Sequence, residues 1–175
     1  VIDSKDVKAI GYTDVPEIVY GFGVSAQWKG FDVSVFFQGN DHVSFSINSS
    51  MVRGFTEPKM AANNVFSDIY GNYWTESNTD AKYPRLTTTE ATNNNQSSDF
   101  WLVNGRYLRL KNAEFGYTFP KKLIQKIRLS QLRIFVSGTN LLTFAPFKLW
   151  DPDLQTGASN YPNTRVANIG LNIGF

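Results

Sequence analysis

The residues of this chain best suited to chemistry are scattered rather than gathered in one motif. At the N-terminus, Val1-Ile2-Asp3-Ser4-Lys5-Asp6 sets two carboxylates three residues apart, behind the Val1 carbonyl. Hard oxygen ligands at such spacings are what Ca²⁺ takes from a loop, which makes Asp3 and Asp6 candidate metal ligands. The half of the loop with further acidic ligands and a glycine does not precede them, and a solvated acidic turn is the plainer reading. His42 is the single histidine and follows Asp41 in a loop; with no cysteine in the chain, a His/Cys zinc cluster is excluded. No nucleophile sits beside a base in the way covalent catalysis needs. Asp151 and Asp153 flank Pro152. Paired carboxylates can cleave glycosidic bonds, but Asp-Pro with Asx side chains favours a turn. Tyr70, Tyr73, Trp74, Trp101, Trp150 and Tyr161 lie among polar loop residues. Their flat rings could bind sugars, rest on a partner or pack the loops, and Trp74, Trp150 and Tyr161 are the candidates for substrate or partner contact. The chain does not read as an enzyme.

Composition narrows the class. In 175 residues the aromatic share is 15% and the formal charge +2, too little to argue for nucleic acid. No run approaches the roughly 18 apolar residues of a membrane helix. The negative mean hydropathy does not exclude a membrane, because barrel strands are only half apolar. The chain opens on Val1 without Met or a signal peptide, which reads as a mature, processed or partial sequence.

The elements that would position these residues show a period of two. The C-terminal stretch Arg165 to Phe175 places Ala167, Ile169, Leu171, Ile173 and Phe175 on one face and Val166, Asn168, Gly170, Asn172 and Gly174 on the other. Its length and alternation suit a strand that crosses a bilayer in a barrel. A first strand over 19–28 alternates Tyr20, Phe22, Val24, Ala26 and Trp28 with Gly21, Gly23, Ser25 and Gln27. Lys29-Gly30 is a turn candidate, and a second strand over 31–39 alternates Phe31, Val33, Val35 and Phe37 with Asp32, Ser34, Phe36 and Gln38. A third strand spans 106–119 and ends at Pro120, which cannot donate to a ladder. A fourth spans 132–144, with Leu132, Ile134 and Val136 outward and Arg133, Phe135 and Ser137 inward. The terminal strand over 165–175 is the fifth. Strict alternation in the third strand would put Arg109 and Lys111 on the face of Phe115, so both are expected at the outer membrane boundary near anionic headgroups, where charge costs little.

The connections alternate in length. Lys29-Gly30 and the basic 120–131 segment are short; 40–99 and 145–163 are long, with a short helix expected over Asn63 to Tyr73. Barrels of the outer membrane keep short turns on the periplasmic side and long loops outside, which puts the C-terminus in the periplasm. Trp28, Tyr117 and Phe119 near the short turns then form the periplasmic aromatic girdle. Five strands cannot close a barrel, the smallest bacterial ones having about eight, and an open edge in hydrocarbon leaves unpaired N–H and C=O groups. The segment must therefore be part of a larger barrel, or not belong to a membrane protein. Gln27, Asp32, Gln38, Asn112, Glu114, Asn168 and Asn172 make the opposite face polar, as in a wide or plugged lumen.

Several stretches converge on one family: Y-G-F-G-V-S-A-Q-W-K-G-F-D-V-S-V-F-F-Q-G (20–39), Y-P-R-L (83–86), Y-L-R-L-K-N-A-E-F-G-Y-T-F-P (107–120), L-R-I-F-V-S-G-T-N-L-L-T-F (132–144), L-W-D-P-D (149–153) and the terminal N-I-G-L-N-I-G-F. Together they resemble the C-terminal end of the SusC/RagA family of TonB-dependent transporters of Bacteroidota, over nearly the whole chain. The resemblance implies an all-β fold: an antiparallel transmembrane β-barrel segment, about five C-terminal strands of a 22-stranded barrel, with long extracellular loops and with the plug domain and TonB box absent. It implies an outer-membrane importer of oligosaccharides or peptides. The implied partners are the remaining barrel and plug, a SusD-like surface lipoprotein, TonB through the missing part, lipid and lipopolysaccharide, and the barrel-assembly machinery, for which Phe175 would be a signal. No cofactor is expected of this segment; because a loop ending at the positions of Asp3 and Asp6 recurs in the family, the resemblance makes Ca²⁺ a candidate in the intact parent only. The alternative is a soluble extracellular β-sandwich that binds carbohydrate.

Overall fold

The computed structural model describes residues 4–53, 65–87, 92–156 and 160–175. Two compact units emerge. One comprises Val1–Pro16, His42–Gly105 and Phe147–Tyr161; the other comprises Glu17–Asp41, Arg106–Pro146 and Pro162–Phe175.

The second unit is an antiparallel sheet. Its strands are β1 (Ile18–Trp28), β2 (Phe31–Asp41), β5 (Tyr107–Thr118), β6 (Gln131–Phe144) and β7 (Val166–Gly174), in the order β1-β2-β5-β6-β7. The short strands β3 (Ser44–Ser46) and β4 (Leu102–Asn104) pair with each other in the first unit. Lys29 and Gly30 both have positive φ, 48° and 91°. Such a two-residue turn matches the right-handed twist of the flanking strands. Gly30 is needed twice over, since a Cβ there would also press on the Thr118 carbonyl. The connection after β5 is one helical turn, α2 (Lys121–Ile124), continued as a 3₁₀ turn, Gln125–Ile127.

Paired residues in a sheet share a face, so the registers sort the side chains into rows. One row reads Trp28, Phe31, Tyr117, Ile134, Leu171; the next Ala26, Val33, Phe115, Val136, Ile169; the next Val24, Val35, Ala113, Gly138, Ala167. This face is apolar throughout. The rows behind it read Gln27, Asp32, Gly116, Phe135, Gly170 and Ser25, Ser34, Glu114, Ser137, Asn168.

The third strand departs from strict alternation. Phe36 pairs with Asn112 while the next residue, Phe37, pairs with Leu110, so Lys111 is an extra residue in β5. A β-bulge of this kind inverts the facing of everything beyond it. Arg109 pairs with Gln38 and Thr143, and Leu110 with Phe37 and Leu142. Arg109 therefore lies on the polar face, not on the face of Phe115. It is buried, its Nε donates to Thr143 Oγ1 at 3.1 Å, and its guanidinium lies over the Tyr107 ring. The expectation that Arg109 sits among headgroups on the apolar face is overturned, and Leu108 and Leu110 take that face instead.

The first unit has its own core: Phe45, Ile47, Val52, Ile69, Tyr83, Trp101 and Phe147, with Phe66, Leu86 and Trp150 packed against it. These come from stretches that the sequence reads as loop, which also contain α1 (Ser50–Arg53). The helix expected over 63–73 is absent from the described part: residues 67–71 form turns, closed by Ile69 N–H and Tyr70 N–H donating to the Phe66 carbonyl, while 63–64 lie outside the described residues.

Candidate functional site

The sheet offers two surfaces of opposite chemistry. On the apolar face the large side chains stand uncovered: Ile169 is 84% exposed, Val24 68% and Leu171 55%. Contiguous apolar surface on that scale marks a partner or a membrane. At the end near Lys29-Gly30 the rings of Phe31 and Tyr117 meet at 4.5 Å, Tyr117 meets Phe119 edge-on at 5.0 Å, and Lys29 Nζ lies 4.7 Å from the exposed Trp28 ring. Aromatic side chains with a cation beside them suit the boundary between hydrocarbon and headgroups.

The polar face centres on Arg133. Its Nε donates to Asp32 Oδ1 at 3.0 Å and one terminal nitrogen to Asp32 Oδ2, making a two-pronged bond, while the same nitrogen reaches Glu114 Oε1 at 2.6 Å. Strands β2, β5 and β6 are thus tied at one point. Gly116 makes this feasible, because a Cβ there would collide with the guanidinium and the Asp32 carboxylate. Alternation turns Arg133, Asp32 and Glu114 inward one strand at a time; the spacing across strands that unites them exists only in the register.

The remaining candidates resolve as follows. Asp151 accepts from the Asp153 N–H at 3.0 Å and caps a 3₁₀ turn, Pro152–Leu154, as a turn residue should. His42 stacks on Tyr12 at 4.4 Å. Asp6 ends a 3₁₀ turn, Ser4–Asp6. Asp3 lies outside the described residues, and among the described residues no three His, Cys, Asp or Glu side chains gather closely enough for a metal. Trp150 donates to the Gln155 carbonyl at 2.7 Å, packs edge-on against Phe147 and is half-buried. Trp101 is likewise buried, its indole bonded to the Asn94 carbonyl. Trp74 and Tyr161 remain exposed.

No family model matches the chain. A TonB-dependent receptor of Formosa agariphila is 30% identical over 191 residues, covering 99% of this chain and 18% of the receptor. TonB-dependent receptor SusC of Bacteroides thetaiotaomicron is 27% identical over 99% of this chain and 16% of its own length. Among solved structures, the RagAB peptide importer in its open-open state matches with a TM-score of 0.73 and 27% identity, over 99% of this chain and 19% of that one. The chain thus spans under one-fifth of the length of the relatives it matches. Its open antiparallel sheet is that of a transporter barrel, and the chain belongs, as one barrel segment, to the TonB-dependent receptors of the SusC/RagA kind.

Proposed function

We propose that this segment forms part of the wall of an outer-membrane importer that takes up oligosaccharides or peptides together with a SusD-like surface lipoprotein, on energy delivered through TonB. The observation that carries this reading is the five-stranded sheet with one uncovered apolar face and one polar face. A barrel wall between lipid and a wet lumen has that section. Ala167, Ile169, Leu171 and Ile173 then face lipid, and the Arg133 cluster faces the lumen. The outer strands β1 and β7 each pair on one side only among the described residues, and further strands of the same receptor supply the missing partners. A soluble sandwich would cover the apolar face with a second sheet, which the exposure of Ile169 and Val24 speaks against.

The orientation follows from connection length: Lys29-Gly30 periplasmic, Tyr161 outside. Two measurements test the whole. The intact receptor carrying Lys29→Cys or Tyr161→Cys is treated in living cells with a membrane-impermeant maleimide; label on Tyr161→Cys alone is expected. Equal labelling of both, or recovery of the receptor in the aqueous fraction, sinks the membrane reading. Uptake of labelled glycans or peptides should vanish when the receptor gene or TonB is removed, and persistence of all such uptake sinks the importer reading.

A further inference from the structure

The Tyr83-Pro84-Arg85 stretch has no part in the two-faced sheet. Tyr83 is buried in the core of the first unit, and its backbone is held on both sides: Trp74 N–H donates to the Tyr83 carbonyl at 2.9 Å, and Tyr83 N–H donates to the Asn72 carbonyl at 3.0 Å. This clamp fixes Pro84 and Arg85 beside Trp74. An open groove of about 430 Å³ lies between Trp74, Tyr83, Pro84, Arg85, Asn94 and Phe100. Trp74 and Phe100 are 37% and 48% exposed. Phe100 is braced edge-on at 4.8 Å by the buried Trp101. Rings held by a packed core lose little freedom when a ligand arrives.

The lining is apolar but for Asn94 and Arg85. A saccharide would find few partners for the hydroxyls it turned toward this lining, and a desolvated polar group without a partner weakens binding. Arg85 is exposed, and no carboxylate pairs with it among the described residues. A guanidinium beside an apolar slot matches a carboxylate attached to an apolar side chain. We propose that this groove holds the C-terminal residue of a short peptide, its side chain between Trp74 and Phe100 and its carboxylate on Arg85. The proposal rests on the importer reading and selects peptides over glycans within it.

The test uses the intact detergent-purified receptor and dansyl-Gly-Gly-Phe as free acid or C-terminal amide. The acid is expected to bind at least about tenfold tighter than the amide, the scale of one charge-assisted contact. Arg85→Gln should erase that preference by weakening the acid far more than the amide, and Trp74→Ala should weaken both probes. Both side chains are exposed, so both variants should keep the wild-type proteolytic pattern. Equal binding of acid and amide by the wild type, a preference that survives Arg85→Gln, no binding of either probe, or displacement of the acid by maltoheptaose overturns the proposal. Cell uptake separates the two levels. Receptor-dependent peptide uptake that neither substitution changes removes the groove and leaves the importer; absence of any receptor-dependent uptake removes the importer itself.

Discussion

Arg133 shows how much of this sheet hangs on single side chains. One guanidinium answers carboxylates from two other strands, and the fork on Asp32 is the geometry that Lys cannot copy. Removing it leaves Asp32 and Glu114 close together with no cation between them. Arg133→Gln should therefore lower the temperature at which the intact receptor loses its compact gel mobility, with Arg133→Lys falling between that variant and wild type. Adding Asp32→Asn to Arg133→Gln should recover part of the loss, because it removes one of the two repelling charges. If Arg133→Gln runs and unfolds like wild type, the cluster is ornamental.

At the scale of the element, period-two alternation placed β1, β2, the lower half of β5, β6 and β7 by reading Tyr20 to Trp28 or Ile169 to Ile173 alone, since each large apolar residue there has one side to go to. Arg109 and Lys111 were a different problem. A break in alternation has two solutions, charged residues on the apolar face or an extra residue in the strand, and one strand cannot choose between them. The uninterrupted β1–β2 register fixes Phe37 on the apolar face beside Phe22, and Phe37 brings Leu110 with it. Faces can be tested by charge. Leu171→Arg should cut the amount of assembled receptor, since a cation on the lipid face is costly, by up to about 2–4 kcal/mol at the midplane. Asn168→Arg, opposite Ser137 on the polar face, should be tolerated; Asn172 is the poorer control because it stands opposite Arg133. Leu110→Arg should also reduce assembly, because it shares the apolar face with Phe37 and Leu142. Heat-modifiable protein in outer-membrane fractions reads all three. A Leu110→Arg variant as abundant as Asn168→Arg would return Leu110 to the polar face and undo the bulge assignment.

The whole chain contains two kinds of order with different origins. The sheet is held by ladder hydrogen bonds along strands of nine to fourteen residues, and its side chains point away from one another on two faces. The other unit is held by side chains that converge on one core from separated stretches, Phe45 and Trp101 from one and Phe147 from another. That core was hard to read in the sequence because Ile69, Tyr83 and Trp101 follow no period, and Val43-Ser44-Phe45-Ser46-Ile47, which does alternate, is too short to say what covers it; only contacts between distant stretches define the core. The difference in origin predicts a difference in failure. Trp101 is 1% exposed and its indole N–H is bonded at 2.7 Å to the Asn94 carbonyl. Trp101→Ala should destabilise its unit by about 3–5 kcal/mol, the usual loss for truncating a buried large aromatic. The ladders of β1, β2, β5, β6 and β7 do not use that side chain. The variant receptor should therefore still insert and keep its heat-modifiable band, while limited proteolysis of intact cells opens new cuts between residues 42 and 105. Loss of the band together with the new cuts would mean that the two units fold as one, and that the loop core is part of what holds the wall.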